Sequence, residues 1–240
     1  MAMPIMPMAT TMATTMATPM TTIEPPALVR LVTMLSPAFP VGAFAYSGGL
    51  EQAAHDGQVT DRWTLADWLH DVLESGVLWN DAVLVAESWR RAAAGGDLGE
   101  VNELALALAG SAGRLLETTA QGRAFAEAAR VWTDPPAIDG DGIAYPVAIG
   151  RVAALCGIAL AAVLPAHLNA AISNLVQAAI RLGVVGQAGG LAVIAGLEPL
   201  IVAVAERAGR AGLDDLGGSA LAAEIAAMNH ETLGSRMFRT

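Results

Sequence analysis

Residues 35–51, which read LSPAFPVGAFAYSGGLE and are called here the Pro/Gly loop, constrain the fold more than any other part of the chain. Pro37 and Pro40 fix their own φ angles and push the residues before them toward extended conformations, so a helix cannot run through this loop. Gly49 is expected to adopt a backbone conformation that a Cβ would forbid. Several side chains in the loop are nevertheless apolar, and a solvated loop would not need them. Composition alone therefore favours an elbow packed inside its own domain, with a loop kept for a partner as the alternative.

The overall composition restricts the chain to a few classes of protein. Of its 240 residues, 54% are hydrophobic and 15% are charged, which is typical of one large or two small globular domains, or of a membrane protein. The net charge is −10 and all 13 basic residues are arginine, which argues against nucleic-acid binding and excludes a P-loop lysine and Schiff-base chemistry. The single cysteine, Cys156, is interpreted as a small buried apolar residue. This cysteine count fits a reducing cytoplasm.

Residues 1–24 form a tract of Met, Thr, Ala and Pro that contains most of the methionines of the chain. It has no basic start and no continuous apolar core, because its first charge is Glu24, so it does not resemble a signal peptide. Such low complexity predicts a disordered tail that is dispensable for folding. A copper(I) site built from thioethers is the less favoured interpretation.

After this tail, apolar residues recur with helical spacing and without sustained period-two alternation. The predicted fold class is therefore all-α, a single globular bundle of about ten helices over residues 25–240, with 133–142 as a possible internal linker. Asp61 is predicted to cap one helix, and Asp97 with Glu100 to form a capping pair at the start of another. Pro199 is predicted to end an apolar run, with a new helix following near 199–209.

An integral membrane protein is an alternative that the apolar second half of the chain raises. The uncharged run between Arg151 and Arg181 is interrupted by Pro165 and by polar residues that include His167, and the run 182–197 has only 16 residues. A membrane span needs about 20 predominantly apolar residues. We therefore interpret these segments as close-packed core helices and predict no membrane contact.

Catalytic patterns in the sequence are incomplete. The residues around Ser47 nearly match G-x-S-x-G, but the first glycine and a preceding strand are missing, so a small serine hydrolase remains only an alternative. His230 and Glu231 begin an H-E-x-x-H pattern that lacks its second histidine, and the four histidines are scattered along the chain. The sequence therefore predicts no catalytic, cofactor-binding or metal-binding site and indicates a protein that is not an enzyme.

The last residues, MNHETLGSRMFRT, form a basic and aromatic segment on an otherwise acidic chain. Arg236, Phe238 and Arg239 are residue types that are enriched at protein interfaces, although a frayed chain end is the alternative interpretation. We expect this segment to be mobile in the free monomer. Deletion of residues 235–240 is then expected to abolish partner binding and to leave the melting temperature nearly unchanged.

Three separated motifs resemble the family of urease accessory proteins named UreF. The Pro/Gly loop is similar to that family's LxSPxxPxGxFxYSxGLE, the tail to MxHETxxSRxFR, and residues 181–187, RLGVVGQ, to RLxPLGQ. The chain differs from these patterns at Ala45, where the family has Ser, and at Leu233 and Gly234, where it has Gln and Tyr.

This resemblance implies an all-α, cytoplasmic, non-enzymatic and commonly dimeric protein. Its family joins the accessory proteins UreD and UreG to the urease apoprotein during nickel insertion, and is thought to control the GTPase UreG. The resemblance also implies a set of partner-binding residues, by their positions in the three motifs. These residues are Pro40, Gly42, Tyr46, Ser47, Gly49, Glu51, Arg181, Gln187, His230, Glu231, Ser235, Arg236, Phe238 and Arg239.

Overall fold

The computed structural model describes residues 23–133 and 142–240. Over these ranges it contains ten α-helices and no strand, so the predicted all-α class is confirmed. Residues 1–22 of the predicted tail and residues 134–141 of the predicted linker lie outside the described ranges. The helices are α1 (Pro25–Met34), α2 (Leu50–His55), α3 (Arg62–Glu74), α4 (Val77–Ala93), α5 (Gly99–Ala107), α6 (Ala112–Ala128), α7 (Tyr145–Leu155), α8 (Leu160–Arg181), α9 (Gln187–Ala208) and α10 (Leu221–His230).

Helix α4 lies at the centre of the fold and packs most extensively against α7, while α3, α5, α8 and α9 also contact it. Its apolar side chains are almost fully covered, with Val83 and Val85 0% exposed. The two helices approach closely at Gly150 of α7, where an added Cβ would lie 2.4 Å from the carbonyl oxygen of Val85. The α4–α7 packing therefore requires a residue without a side chain at this position.

We predict that Gly150→Ala lowers the free energy of unfolding by about 1–3 kcal/mol or more, because the backbone of α4 cannot move away without disturbing the core. The matched control is Gly196→Ala in the interior of α9, where an added Cβ would meet no atom within 4 Å. That substitution is expected to raise stability by about 0.4–1 kcal/mol, since it restricts the unfolded chain. Urea unfolding of both variants measures the two effects, and equal stabilities would contradict the packing argument.

The two long helices, α8 and α9, each continue through a proline. The prediction that Pro199 starts a new helix is wrong, because α9 extends unbroken from Gln187 to Ala208. Proline removes one backbone hydrogen bond, but α9 buries Leu197 and Ile201 on either side of it, and this packing keeps the two halves in line.

By length and composition alone, α8 and α9 could each cross a membrane. This is weak support for a membrane protein, because helices in the core of soluble proteins pass the same test. Helix α8 places Leu164, Leu168 and Ile172 along one fully buried stripe, as a core helix does.

The cap that was predicted for α3 is confirmed. Asp61 Oδ1 accepts hydrogen bonds from the backbone N–H groups of Trp63 and Thr64, both at 2.9 Å. The predicted capping pair at α5 forms only in part: Asp97 Oδ2 accepts a hydrogen bond at 3.0 Å from the backbone N–H of Gly99, the first residue of the helix, but Glu100 does not complete the pair. Glu100 instead forms an ion pair with Arg91 at 2.8 Å, on the end of α4.

Candidate functional site

The Pro/Gly loop is packed inside the domain through most of its apolar residues, although Phe44 is 69% exposed. Phe39 and Tyr46 are buried, and the ring of Phe39 packs at an angle against that of Phe125 of α6, with 5.3 Å between the ring centres. The amide of Asn174 on α8 donates to the backbone oxygen of Ala43 at 3.1 Å, which fixes the middle of the loop. Sequence reasoning did not identify Asn174, because nothing local links it to a loop 131 residues earlier.

Gly49 allows the end of the loop to touch the backbone of α10. Its φ angle of +82° lies in the left-handed region, and it is the N-cap of α2. An added Cβ would lie 2.7 Å from the backbone nitrogen of Ala227 and 3.0 Å from the backbone oxygen of Ala223. Both the conformation and the contact with α10 therefore require glycine.

The centre of the site is the buried carboxylate of Glu51, two residues after Gly49. Its Oε1 accepts a hydrogen bond from the backbone N–H of Met237 at 2.6 Å, and its Oε2 accepts one from Phe238 at 3.0 Å. His230 Nε2 lies 2.8 Å from the same Oε2. Glu51 and His230 are 7% and 1% exposed, so water cannot replace these partners.

The hydrogen bonds also set the charge state of this carboxylate. Burial by itself would raise the pKa of Glu51, but the hydrogen bonds from His230 and from the two backbone N–H groups outweigh burial and hold the pKa below its ordinary value. At neutral pH the site therefore contains an ionised carboxylate that is surrounded by donors.

Further backbone hydrogen bonds attach the tail to the loop on either side of Glu51. The N–H of Arg239 donates to the backbone oxygen of Ala45 at 2.8 Å, and the N–H of Ser47 donates to the backbone oxygen of Thr240 at 2.8 Å. The Ser47 hydroxyl donates to the same Thr240 oxygen. Because Ala45 acts through its backbone, the serine of the family pattern is not needed for this contact. We call residues 43–51, 230 and 237–240 together the loop–tail joint.

Phe238 fills the joint from the tail side. Its ring is 4% exposed, and the guanidinium carbon of Arg181 lies 4.3 Å from the ring centre. Arg181 also donates from Nη1 to the backbone oxygen of Phe44 at 2.5 Å. The expectation of a mobile tail is therefore wrong, because the Pro/Gly loop, far away in sequence, accepts hydrogen bonds from the tail backbone while Phe238 is buried against Arg181.

The serine hydrolase interpretation also fails on this geometry. Ser47 is 0% exposed, and its hydroxyl is used by Thr240. The residue follows a short 3-10 turn, Ala43–Ala45, and not a strand. A nucleophile elbow needs an exposed serine at the end of a strand.

The predicted partner-binding residues divide into two groups. Tyr46, Ser47, Gly49, Glu51, His230 and Phe238 are buried in the joint. Pro40, Arg181, Gln187, Glu231, Ser235, Arg236 and Arg239 are exposed, and Gly42 is half-buried. Gln187 lies at the start of α9, outside the joint, and Glu231 accepts a hydrogen bond at 2.8 Å from the backbone N–H of Ala112 at the start of α6.

Beside the joint, α10 presents an apolar stripe to solvent that sequence reasoning missed. Leu221, Ile225 and Met228 are 66%, 44% and 46% exposed, and Met237 of the tail is 55% exposed. Their spacing of four and three residues along α10 was visible in the sequence as a helical face. We call these four residues, together with Arg236 and Arg239, the docking face.

A buried polar cluster between α4 and α6 was also missed. Arg114 of α6 pairs with Asp81 Oδ2 at 2.5 Å and with Glu117 Oε2 at 3.4 Å, and Gln121 donates to Glu117 at 3.1 Å. Burial raises the pKa of Glu117, although Arg114 opposes this. The three-residue and four-residue spacings on α6 were the available signal.

Within the described ranges, no three His, Cys, Asp or Glu side chains converge closely enough to hold a metal ion.

We predict that Gly49→Ala destabilises the chain more than Gly42→Ala does. Both glycines have a φ angle near +70° to +80°, but an added Cβ at Gly42 would meet no atom within 4 Å. Gly42→Ala should therefore lower the free energy of unfolding only through strain of the left-handed backbone, by about 1–2 kcal/mol. Gly49→Ala should lower it by about 1–3 kcal/mol more, because the added Cβ overpacks against α10. Thermal unfolding of both variants gives the comparison, and equal losses would mean that the loop does not contact α10.

We predict that Glu51→Gln lowers the free energy of unfolding at neutral pH by about 1–3 kcal/mol, because the amide leaves a buried N–H without an acceptor. The folded-state pKa of Glu51 is depressed, so its stabilising contribution is complete above the unfolded pKa of about 4.3 and is lost as the pH falls through the folded value. The stability difference between wild type and variant should therefore shrink below about pH 4.3. Urea unfolding at several pH values measures it, and a constant difference down to pH 2 would contradict the assignment.

Comparison with known proteins finds one family. The family model UreF matches residues 59–198, a range that excludes both halves of the loop–tail joint. The urease accessory protein UreF of Mesorhizobium japonicum is 55% identical over 219 residues, which cover 89% of this chain and 96% of that protein. UreF of Allorhizobium ampelinum is 52% identical over 221 residues, with 89% and 96% covered. The urease accessory protein UreF 1 of Brucella anthropi is 51% identical over 222 residues, with 92% and 97% covered.

Proposed function

The chain belongs to the UreF family of urease accessory proteins, and on that premise we propose that it is a non-enzymatic interaction protein in nickel insertion. In this role it joins the accessory proteins UreD and UreG to the urease apoprotein and modulates the GTPase UreG. The observation that carries the proposal is the loop–tail joint, which brings two of the three family motifs together and presents the end of the chain on a rigid support.

The docking face is the surface on which we place UreD. Met237 and Arg239 are exposed while Phe238 between them is buried, so the joint turns alternate side chains of the tail outward. Exposed Met and Arg beside an apolar stripe on α10 have the composition of an interface core. Because the backbone of the tail is already fixed, binding loses less conformational entropy than it would with a mobile segment.

The two groups of motif residues have different roles in this proposal. Buried Glu51, His230 and Phe238 hold the tail in position and do not touch a partner directly. Exposed Arg236 and Arg239 are the residues that meet carboxylates of UreD. The proposal includes a homodimer, which the family resemblance supports. It also includes a location in the cytoplasm, which the family resemblance and the single half-buried Cys156 support.

We predict that Arg236→Ala and Arg239→Ala each weaken UreD binding by about 1–3 kcal/mol, because each removes a charge-assisted contact from the interface. Both side chains are exposed, so the melting temperature should stay within about 2 °C of wild type. Arg210→Ala is the matched control, since Arg210 is exposed at the far end of α9. Calorimetry or co-purification with UreD measures binding.

Two outcomes of this experiment would count against the proposal. If both tail variants bound UreD as tightly as wild type, the docking face would not be the UreD surface. If wild type failed to bind UreD at all, the bridging function itself would be rejected.

A further inference from the structure

A cavity of about 80 Å³ lies beside the loop–tail joint, between α4, α5, the start of α6 and α10. Its floor includes Asp81 and Leu84 of α4, which are buried, and its rim includes Leu108 and Gly110, which are exposed. Thr240 of the tail forms part of its wall. The cavity therefore opens to the surface near Leu108 and Gly110. Helix α10, which carries part of the docking face, forms another of its walls through Ala223, Glu224 and Ala227.

The charged side chains that line this cavity are mostly acidic. They are Asp81, Glu117 and Glu224, with Arg114 as the single cation in the lining. Arg114 is already paired with Asp81 and Glu117, whereas Glu224 makes no ion pair among the described residues. The lining therefore retains excess negative charge.

The start of α6 also reaches the cavity, and a helix N-terminus would ordinarily attract an anion. Here two of its donors are already used. The N–H of Ala112 donates to Glu231 Oε1 at 2.8 Å, and the N–H of Arg114 donates to the Ser111 hydroxyl at 3.1 Å. Glu231 also adds a further negative charge, so this end of the cavity does not favour an anion.

Thr240 contributes to the wall through atoms other than its hydroxyl oxygen. Oγ1 of Thr240 has no hydrogen-bond partner within the described residues, but protein atoms cover it, so it does not face the cavity. Recognition in this cavity therefore depends on the carboxylates and on the apolar walls.

The size and walls of the cavity fit an elongated group with a polar end. One water molecule needs roughly 10–15 Å³ of accessible volume, so the cavity has room for roughly five to eight atoms or groups of that size. The side chain of arginine beyond Cβ has about that many non-hydrogen atoms. Leu84, Ala105, Leu108 and Ala223 provide apolar contacts for a methylene stem.

We propose that this cavity, named here the acidic pocket, receives a basic side chain, arginine or lysine, from the protein that binds the adjacent docking face. The proposal rests on the function proposed above, since it takes the partner to approach from that side. In the complex, the guanidinium or ammonium group pairs with Glu224, and the methylenes pack against the apolar walls.

The first test uses the free full-length chain and ethylguanidinium as the probe, with neutral ethylurea as its isostere. Titration is followed by NMR shifts of the amides at Gly110, Ser111 and Ala223. Ethylguanidinium is expected to shift these signals more strongly than ethylurea does. Glu224→Gln should weaken its binding about five- to tenfold, because a charge-assisted hydrogen bond is lost. Glu206→Gln on the exposed side of α9 changes the net charge equally and should have no effect.

Three results would overturn the acidic pocket: equal binding of ethylurea, equal weakening by both variants, or binding of inorganic phosphate in place of ethylguanidinium.

A second test compares UreD binding by wild type, Glu224→Gln and Glu206→Gln. Loss of affinity in Glu224→Gln alone supports the pocket. Unchanged affinity in Glu224→Gln, with wild type still binding UreD, overturns the pocket and leaves the proposed function intact. Failure of wild type to bind UreD rejects the proposed function.

Discussion

The buried carboxylate of Glu51 is the interaction on which the arrangement of the two family motifs depends. It gathers donors from His230, Met237 and Phe238, which lie 179, 186 and 187 residues further along the chain. Without these donors, a buried ionised carboxylate would be very unfavourable. Without the carboxylate, the backbone N–H groups of the tail would have no acceptor. The loop and the tail are therefore ordered together, and neither motif has its observed structure alone.

This dependence explains why so many motif residues are buried in a protein whose proposed role is to bind others. The joint orders the tail from residue 237 onward, and that order leaves Met237 and Arg239 exposed to solvent. It also places Thr240 in the wall of the acidic pocket. Pre-organisation of this kind favours binding because less conformational entropy is lost when the partner docks. The buried residues thus contribute to recognition through position, and the exposed residues through contact.

The sequence predicted the features that local rules determine. Helical periodicity and the absence of period-two alternation gave the all-α class, and the Asp61 side chain gave the start of α3.

Predictions failed where distant parts of the chain decide the result. Helix α9 continues through Pro199 because core packing on both sides compensates for one missing hydrogen bond. The tail is ordered because Glu51 and Ala45 of the Pro/Gly loop accept hydrogen bonds from its backbone, and no local pattern in residues 235–240 contains that information. The acidic pocket needs α4, α5, α6 and α10 together, so spacing on α6 alone could not reveal it.

The central claim is that the tail is ordered by the Pro/Gly loop in the free chain, before any partner binds. Hydrogen–deuterium exchange of the isolated protein at neutral pH tests it most directly. The amides of Met237, Phe238 and Arg239 and that of Ser47 each donate to the opposite side of the joint. They are predicted to exchange much more slowly than the amide of Arg236, which has no hydrogen-bond partner among the described residues. Exchange of all four amides at the rate of Arg236 would contradict the account, because it would mean that the joint forms only in a complex.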